Sequence, residues 1–393
     1  MQDPVVIVSY ARTPIGAFKG CFASLSAVEL GAAAIKGALN KLLVKIECEE
    51  ALMGCVLSAG VGQSPARQAA IRAGLSDSIC STTINKVCGS GMRSVMLAAD
   101  ALMLRHCDTA VAGGMESMTN APYLLQKARA GYGLGHDKII DHMMRDGLED
   151  AYLPNGVSMG MLAEETAEAY GFGRTEQDEF ALRSVKRAQK ANTDGVFAKE
   201  IIGVEIRSKK DTIVVDRDEA IMSLNPDKIP TLRPCFKENG TITAASSSSI
   251  SDGGAAMILM KESKAVSLGL RPIAKICGYA SFSHAPRMFT TAPIGAINKL
   301  LNKLNWSKEK VDLYEINEAF AVVAMAVVRD LSLSMDNVNI HGGACALGHP
   351  LGTSGARILI SLLNALQLHS LSKGIAALCV GGGEAVAIGV EMC

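Results

Sequence analysis

The sequence predicts an α/β protein built as two similar halves around an insertion. Three observations carry that prediction. Apolar β-type runs alternate with helix-period stretches in the first and last thirds, those thirds repeat a strand–glycine turn–helix–strand unit, and the middle changes character.

In the first third, VVIVSY from Val5 reads as a buried strand and SAVELGAAAIKGALNKL as a helix. ALMGCVLSAG, TTINKV and TAVAGGM supply further short strands, with the helix-like MRSVMLAADALMLR between the last two. Strands this apolar belong to a sheet covered on both faces. From about Arg271 the style returns: the strand IAKICGYASF, a helix over PIGAINKLLNKL, the strand VDLYEI and a helix from Glu318. A strand VNIHGGA, a helix through ARILISLLNALQL and the strand pair AALCVGG and AVAIGVE complete it. TTINKVCGSGMRSVMLAADAL followed by TAVAGGMES parallels VNIHGGACALGHPLGTSGARILISLLNAL followed by AALCVGGGEA. Taken alone, the parallel fits duplication and the ordinary recurrence of strand–glycine–helix units equally well.

The middle, roughly residues 120–250, is richer in charge and Met. It holds the amphipathic QDEFALRSVKRAQKA and the run Ala244-Ala245-Ser246-Ser247-Ser248-Ser249. Such an excursion over a rigid scaffold is where substrate contacts gather. The expected boundaries are an N-terminal half over 1–119, rejoined by 250–270, a loop domain over 120–249 and a C-terminal half over 271–393.

At 393 residues the chain is too long for one comfortable core, and 49% hydrophobic content suits large buried sheets. The formal net charge is zero, so nothing favours nucleic acid or an anionic membrane. No apolar run reaches the ~18 residues of a membrane-spanning helix. MQDPVVIVSYARTP resembles neither a signal nor a transit peptide, so a cytoplasmic protein is expected. Its eleven cysteines are then reduced thiols. There is no C-x-x-C, H-E-x-x-H, P-loop or G-x-G-x-x-G, so no metal, dinucleotide or phosphate cradle is expected.

Four positions can carry chemistry. Cys88, in Asn85-Lys86-Val87-Cys88-Gly89-Ser90-Gly91, sits where a strand hands over to a helix. The helix N-terminus favours thiolate there and should lower the pKa below the free value of about 8.5. The flanking glycines leave backbone N–H groups for an oxyanion. A structural cysteine at a tight turn is the alternative. His349, between Gly348 and Pro350, is rigidly presented ahead of a helix, as a partner for a cysteine nucleophile or as a space-filling turn histidine. Cys379 ends an apolar strand before Gly381-Gly382-Gly383, a ligand-facing backbone or simply a tight turn. Asn317, after VDLYEI, is an ordinary N-cap unless the other three act. Gly156-Val157-Ser158-Met159-Gly160 fits the nucleophile elbow of α/β-hydrolases, but GLEDAYLPN before it is not the buried strand that motif requires.

NKVCGSGMRSV, GGMESMTNAPY, NEAFA, GGACALGHPLGTSGAR and CVGGGEAVAIGVE, in that order and spacing, resemble the thiolase family over essentially the whole chain, closest to the acetoacetyl-CoA thiolases. The resemblance implies a layered αβαβα core of two halves with a loop domain over the active site. It implies acetyl-CoA, acetoacetyl-CoA and coenzyme A as substrates and products, no cofactor, and a homodimer or homotetramer. It makes Cys88 the nucleophile, His349 its activator and Cys379 the acid/base at the α-carbon. One oxyanion site is then His349 with a water held by Asn317, the other the N–H groups of Cys88 and Gly381. Ser248, with Ala244 beside it, matches the pantetheine contact, and Met159, Phe320 and the adjacent Ala319 match the acyl pocket. Ser158, His341 and Met222 depart from common family residues and bear on chain length and CoA affinity. A ketoacyl synthase would carry histidine at Cys379, and a non-catalytic acyl-CoA binder would need none of the four chemical residues.

Overall fold

The computed structural model describes residues 3–154, 156–207 and 211–393. The strands are β1 (Val5–Arg12), β2 (Glu50–Gly54), β3 (Cys80–Ile84), β4 (Thr109–Ser117), β5 (Ser251–Lys261), β6 (Ala274–Ser283), β7 (Leu313–Ile316), β8 (Lys373–Val380) and β9 (Glu384–Met392). They follow the order β7-β8-β9-β6-β1-β5-β4-β2-β3, and the short strand Gly16–Ala17 pairs with β5. β4, β2 and β3 are parallel, flanked by antiparallel β5 and β1. β8 and β7 are parallel, flanked by antiparallel β9 and β6. The repeat in the sequence is therefore a repeat of topology. The halves join through Val6–Lys275 and Ile7–Ala274.

The main helices are α1 (Ala27–Asn40), α2 (Pro65–Arg72), α3 (Ser90–Met103), α4 (Met159–Tyr170), α5 (Arg174–Thr193), α6 (Ala292–Leu304), α7 (Ala321–Leu331) and α8 (Leu351–Leu368). Period-two alternation in the strands sorts them into layers. Ala255, Met257 and Leu259 of β5 and Val386, Ile388 and Val390 of β9 turn inward, onto Met92 and Val95 of α3 and Leu359 and Leu363 of α8. Ala256, Ile258 and Met260 turn outward onto Ala34 and Ile35 of α1. Ala385 and Ala387 do the same toward Ile297 of α6 and Ala324 of α7. The result is α/β/α/β/α, with α3 and α8 as the buried middle layer. No described helix is long and apolar enough to cross a membrane.

The strand expected at VNIHGGA does not form. Val338 makes one parallel bridge to Tyr314, and the Asn339 side chain then replaces the ladder. Its Oδ1 accepts from Ile316 N at 2.7 Å and its Nδ2 donates to Ile316 O at 2.8 Å. A side-chain amide mimics a peptide here, and Gly342 at φ 79° turns the chain toward α8.

The halves press together hardest at the start of α8. A Cβ on Gly54, Gly91 or Gly114 would stand 2.7, 2.7 or 1.9 Å from the Gly352 carbonyl oxygen. Beside this contact the buried Glu116 carboxylate accepts from Val56 N (3.1 Å), Leu57 N (3.1 Å) and Gly352 N (2.7 Å), tying both halves to one side chain. Gly114→Ala should therefore destabilise the protein by about 1–3 kcal/mol or more, because backbone cannot yield as a side chain can. Gly133→Ala, with open space around its Cβ, should stay within about 0.5 kcal/mol. Urea midpoints at constant m-value measure both.

Candidate active site

Cys88 occupies the turn from β3 into α3. Val87 before it adopts φ 48°, a left-handed conformation costly for a β-branched residue. Two side chains hold it there: Asn85 Oδ1 accepts from Val87 N at 3.0 Å, and Ser90 Oγ donates to Val87 O at 2.7 Å. Lys86 pairs with Glu384 across to β9. A Cβ on Gly89 would lie 2.8 Å from Val380 Cγ2, so the turn rests directly against the β8–β9 hairpin. That hairpin carries Cys379 at the end of β8, and Gly382 and Gly383 turn it at φ 90° and 82°. The Gly381 N–H faces the Cys88 sulfur.

His349 enters from the other half. Gly348 at φ 102° precedes it, its N–H donates to Ser249 O at 3.1 Å, and α8 begins two residues later. Ring Nδ1 lies 2.6 Å from Ser354 Oγ and 3.5 Å from Asn317 Nδ2. Ring Nε2 is buried without a partner among the described residues. Asn317 N donates to Ala377 O at 3.0 Å, and Asn317 Oδ1 accepts from Arg357 Nη2 at 3.2 Å. The N-cap and the helix start at Glu318 expected for this segment are corrected. α7 begins at Ala321, with Phe320 before it, and the Asn317 amide is directed to the histidine instead.

A cavity of about 400 Å³ opens onto these turns, lined by Cys88, His349 and Gly381 together with Ala244, Ser248, Met159, Ala319 and Phe320. Cys379 and Asn317 stand behind its wall, both fully buried. Cys379 packs in the cluster that holds Met159, Ala319 and Phe320. Sequence reasoning did not reach Phe236 and Phe289, whose rings meet Phe320 edge-on at 5.7 and 6.3 Å. It also missed Met144 and Leu148. All four are apolar residues with no motif around them, so nothing in the sequence marked them. Glu116, Ser354 and Arg357 went unnoticed for the opposite reason: each lies inside a quoted motif but away from its reactive residue.

The three departures fall in different places. Ser158 lines the cavity, but its hydroxyl caps α4 by accepting from Met161 N at 3.3 Å. In the run before it Asn155 lies outside the described residues, and Glu149–Asp150 pairs with Val157–Ser158 in a two-residue ladder apart from the main sheet. His341 faces a separate groove of about 770 Å³, its ring 5.6 Å from that of His369. Met222 is exposed on the surface.

Electrostatics correct one expectation outright. The Cys88 thiol is not lowered but pushed up to about 11, because burial beside an apolar cavity outweighs the Gly381 and Cys88 N–H groups, and the nearby Glu116 charge adds to the rise. Cys379 is raised well above the ordinary thiol value by burial and by Cys88. Burial first, and the Arg357 charge second, push His349 down to about 3, so its ring is neutral at physiological pH. The arrangement thus offers two neighbouring thiols, a neutral imidazole and backbone donors around an apolar chamber. Among the described residues no cluster of three or more His, Cys, Asp or Glu is placed to hold a metal.

Comparison with known proteins agrees along the full chain. Residues 5–263 match the family model "Thiolase, N-terminal domain" and residues 270–392 match "Thiolase, C-terminal domain". The chain is 47% identical to an acetyl-CoA acetyltransferase of Schizosaccharomyces pombe, over 100% of this chain and 99% of the relative. It is 45% identical to one from Escherichia coli, over 98% of each. The crystal structure of the Bacillus anthracis acetyl-CoA acetyltransferase superposes with a TM-score of 0.96 at 38% identity, covering 100% of this chain and 99% of that one. The Acat5 thiolase from Ascaris suum in complex with coenzyme A gives 0.93 at 41%, covering 99% and 100%.

A raised Cys88 pKa has a direct consequence for alkylation. Without substrate, inactivation by iodoacetamide should accelerate steadily through the alkaline range, with its inflection above the ~8.5 of a free thiol. An inflection near neutrality would contradict the burial argument.

Proposed function

The chain belongs to the thiolase family, and on that premise we propose that it is an acetyl-CoA C-acetyltransferase, condensing two acetyl-CoA to acetoacetyl-CoA and CoA and running the reverse thiolysis. One observation carries the mechanistic reading: Cys88, His349 and the Cys379–Gly381 pair come from three separate motifs yet converge on one apolar cavity and its wall.

The reaction is ping-pong. Cys88 attacks the thioester of the first acetyl-CoA, and CoA leaves with a proton. His349 promotes this transfer from Nε2, the ring nitrogen without a protein partner. Cys379 takes an α-proton from the second acetyl-CoA, and the carbanion attacks the acetyl-Cys88 carbonyl. Acetoacetyl-CoA then departs, and the Cys88 thiolate takes its proton back from Cys379, which returns to the thiolate that accepts the next α-proton. The burial that raises Cys379 makes its thiolate a strong base, which so weak a carbon acid requires. Oxygen charge in each step is met by His349 with Asn317 through a water, or by the N–H groups of Cys88 and Gly381, at roughly 3 kcal/mol per donor. Ser248, whose hydroxyl donates to Ala319 O at 3.0 Å, and Ala244 receive the pantetheine arm. The reading needs no metal or organic cofactor, since the CoA thioesters are substrates.

Assembly as a homodimer or homotetramer belongs to the same reading. It is supported by the partly exposed strand β3 at the edge of the sheet and by exposed Tyr123, Leu125, Leu134 and Ile139 in one excursion. A cytoplasmic setting is supported by eleven free thiols.

Two measurements test the proposal. Cys379→Ala should still accept acetyl onto Cys88 while condensation falls by about 10²–10⁴-fold or more. Equal loss of both steps would refute the division of labour. Across ketoacyl substrates, kcat/KM should peak at acetoacetyl-CoA and decline gradually, since an apolar pocket discriminates by only about 1–3 kcal/mol per methylene. Some activity should remain at six carbons, because Ser158 is small and turned to its helix. A preference for chains of about ten or more carbons would exclude the short-chain assignment.

A further inference from the structure

Arg357 lies on α8, fully buried, and is not among the residues that line the cavity. Its guanidinium donates to Asn317 Oδ1 at 3.2 Å and to Glu315 Oε1 at 3.3 Å. A guanidinium can only donate, so the amide oxygen of Asn317 must face it. The Asn317 nitrogen is then forced toward His349 Nδ1, where it stands at 3.5 Å. A hydroxyl able to donate or accept meets the same atom. Ser354 Oγ is 2.6 Å from His349 Nδ1, while its other acceptor, Pro350 O, lies at 2.9 Å. Pro350 O already accepts the N–H groups of Thr353 at 3.0 Å and Ser354 at 2.9 Å. The serine hydroxyl rotates, so its proton serves Pro350 O or the ring according to what the Asn317 amide makes of Nδ1.

We propose that Arg357 is a positioning residue for the acyl transfer: by orienting the Asn317 amide it keeps His349 Nδ1 an acceptor and places the ring's one proton on Nε2, aimed into the cavity. This rests on the acetyltransferase reading and sharpens the part played by His349. The ring enters the reaction as a hydrogen-bond donor to the acyl oxygen, not as a base toward Cys88. The Cys88 sulfur bonds to the acetyl carbon, the carbon–sulfur bond to CoA breaks, and the thiol proton ends on the departing CoA sulfur. The Arg357 charge also opposes a second proton on the ring, in keeping with the lowered His349 pKa.

Long-range ¹H–¹⁵N spectra of the ¹⁵N-histidine-labelled full-length enzyme test this, with His349 assigned by its loss in His349→Gln. The expected wild-type state is a neutral ring protonated at Nε2, and protonation at Nδ1 would overturn the proposal. Asn317→Asp replaces the donor with an acceptor while keeping a partner for Arg357. The proton should move to Nδ1 and kcat should fall by roughly 10²–10³-fold, the loss of one oxyanion donor, with KM little changed. Arg357→Met should shift the tautomer the same way, and Arg357→Lys should restore part of both signals. An unchanged tautomer in folded Arg357→Met, or in Asn317→Asp should Arg357→Met not fold, would show that the guanidinium does not set the ring. Failure of the acetyltransferase reading would appear separately, as wild-type enzyme that forms no acetyl-Cys88 whatever its tautomer.

Discussion

The structure depends on one close approach: the Gly352 carbonyl set against Gly54, Gly91 and Gly114, where no side chain can intervene. This contact places the N-terminus of α8 against that of α3. Because Cys88 precedes α3 and His349 precedes α8, backbone packing between the halves also sets the register of Cys88 and His349. Glu116 serves the same contact, one carboxylate holding N–H groups from both halves. The site is therefore a product of the duplicated architecture, and neither half could build it alone.

Burial decides how that site works. The chamber is apolar, and it disfavours charge on the thiols and the imidazole around it. Cys88 and Cys379 are raised and His349 is lowered, so burial opposes charge on all three groups. Thioester exchange suits such a site, because charge develops only transiently and fixed donors can meet it without reorganising. The ion pair of Arg357 with Glu315 lies one layer below, where its field reaches the histidine while the charges stay away from substrate. The strain at Val87, secured from both sides by Asn85 and Ser90, is another cost accepted to present the thiol.

Much of this was legible in the sequence, for physical reasons. Apolar runs located eight of the nine main strands; β5 (Ser251–Lys261) was not read as a strand, and the strand expected at VNIHGGA is replaced by a side chain that does its work. Glycine-flanked Cys88, His349 and Cys379 were visible because backbone that must come close to a ligand or a neighbouring helix has few residue choices. The cavity wall was harder to see. Phe236 and Phe289 reach Phe320 only through tertiary packing, and apolar residues inside an irregular excursion carry no positional code. The sign of the Cys88 shift was misread for a related reason: a helix N-terminus can be seen in sequence, whereas the desolvation that overrides it is a property of the folded chamber. Asn317 read by itself was an ordinary helix cap and gained a role only beside the other motifs; the helix in fact starts at Ala321.

The central claim is that Cys88 alone carries the acyl group between two coenzyme A molecules. The most direct test is to quench the wild-type enzyme in acid during turnover of acetyl-CoA and map the acetylated peptides by mass spectrometry. The account predicts a single acetyl thioester, on the peptide holding Cys88, that disappears when free CoA is added before the quench. Acetyl on Cys379 instead, or turnover with no covalent acetyl-enzyme at all, would contradict it.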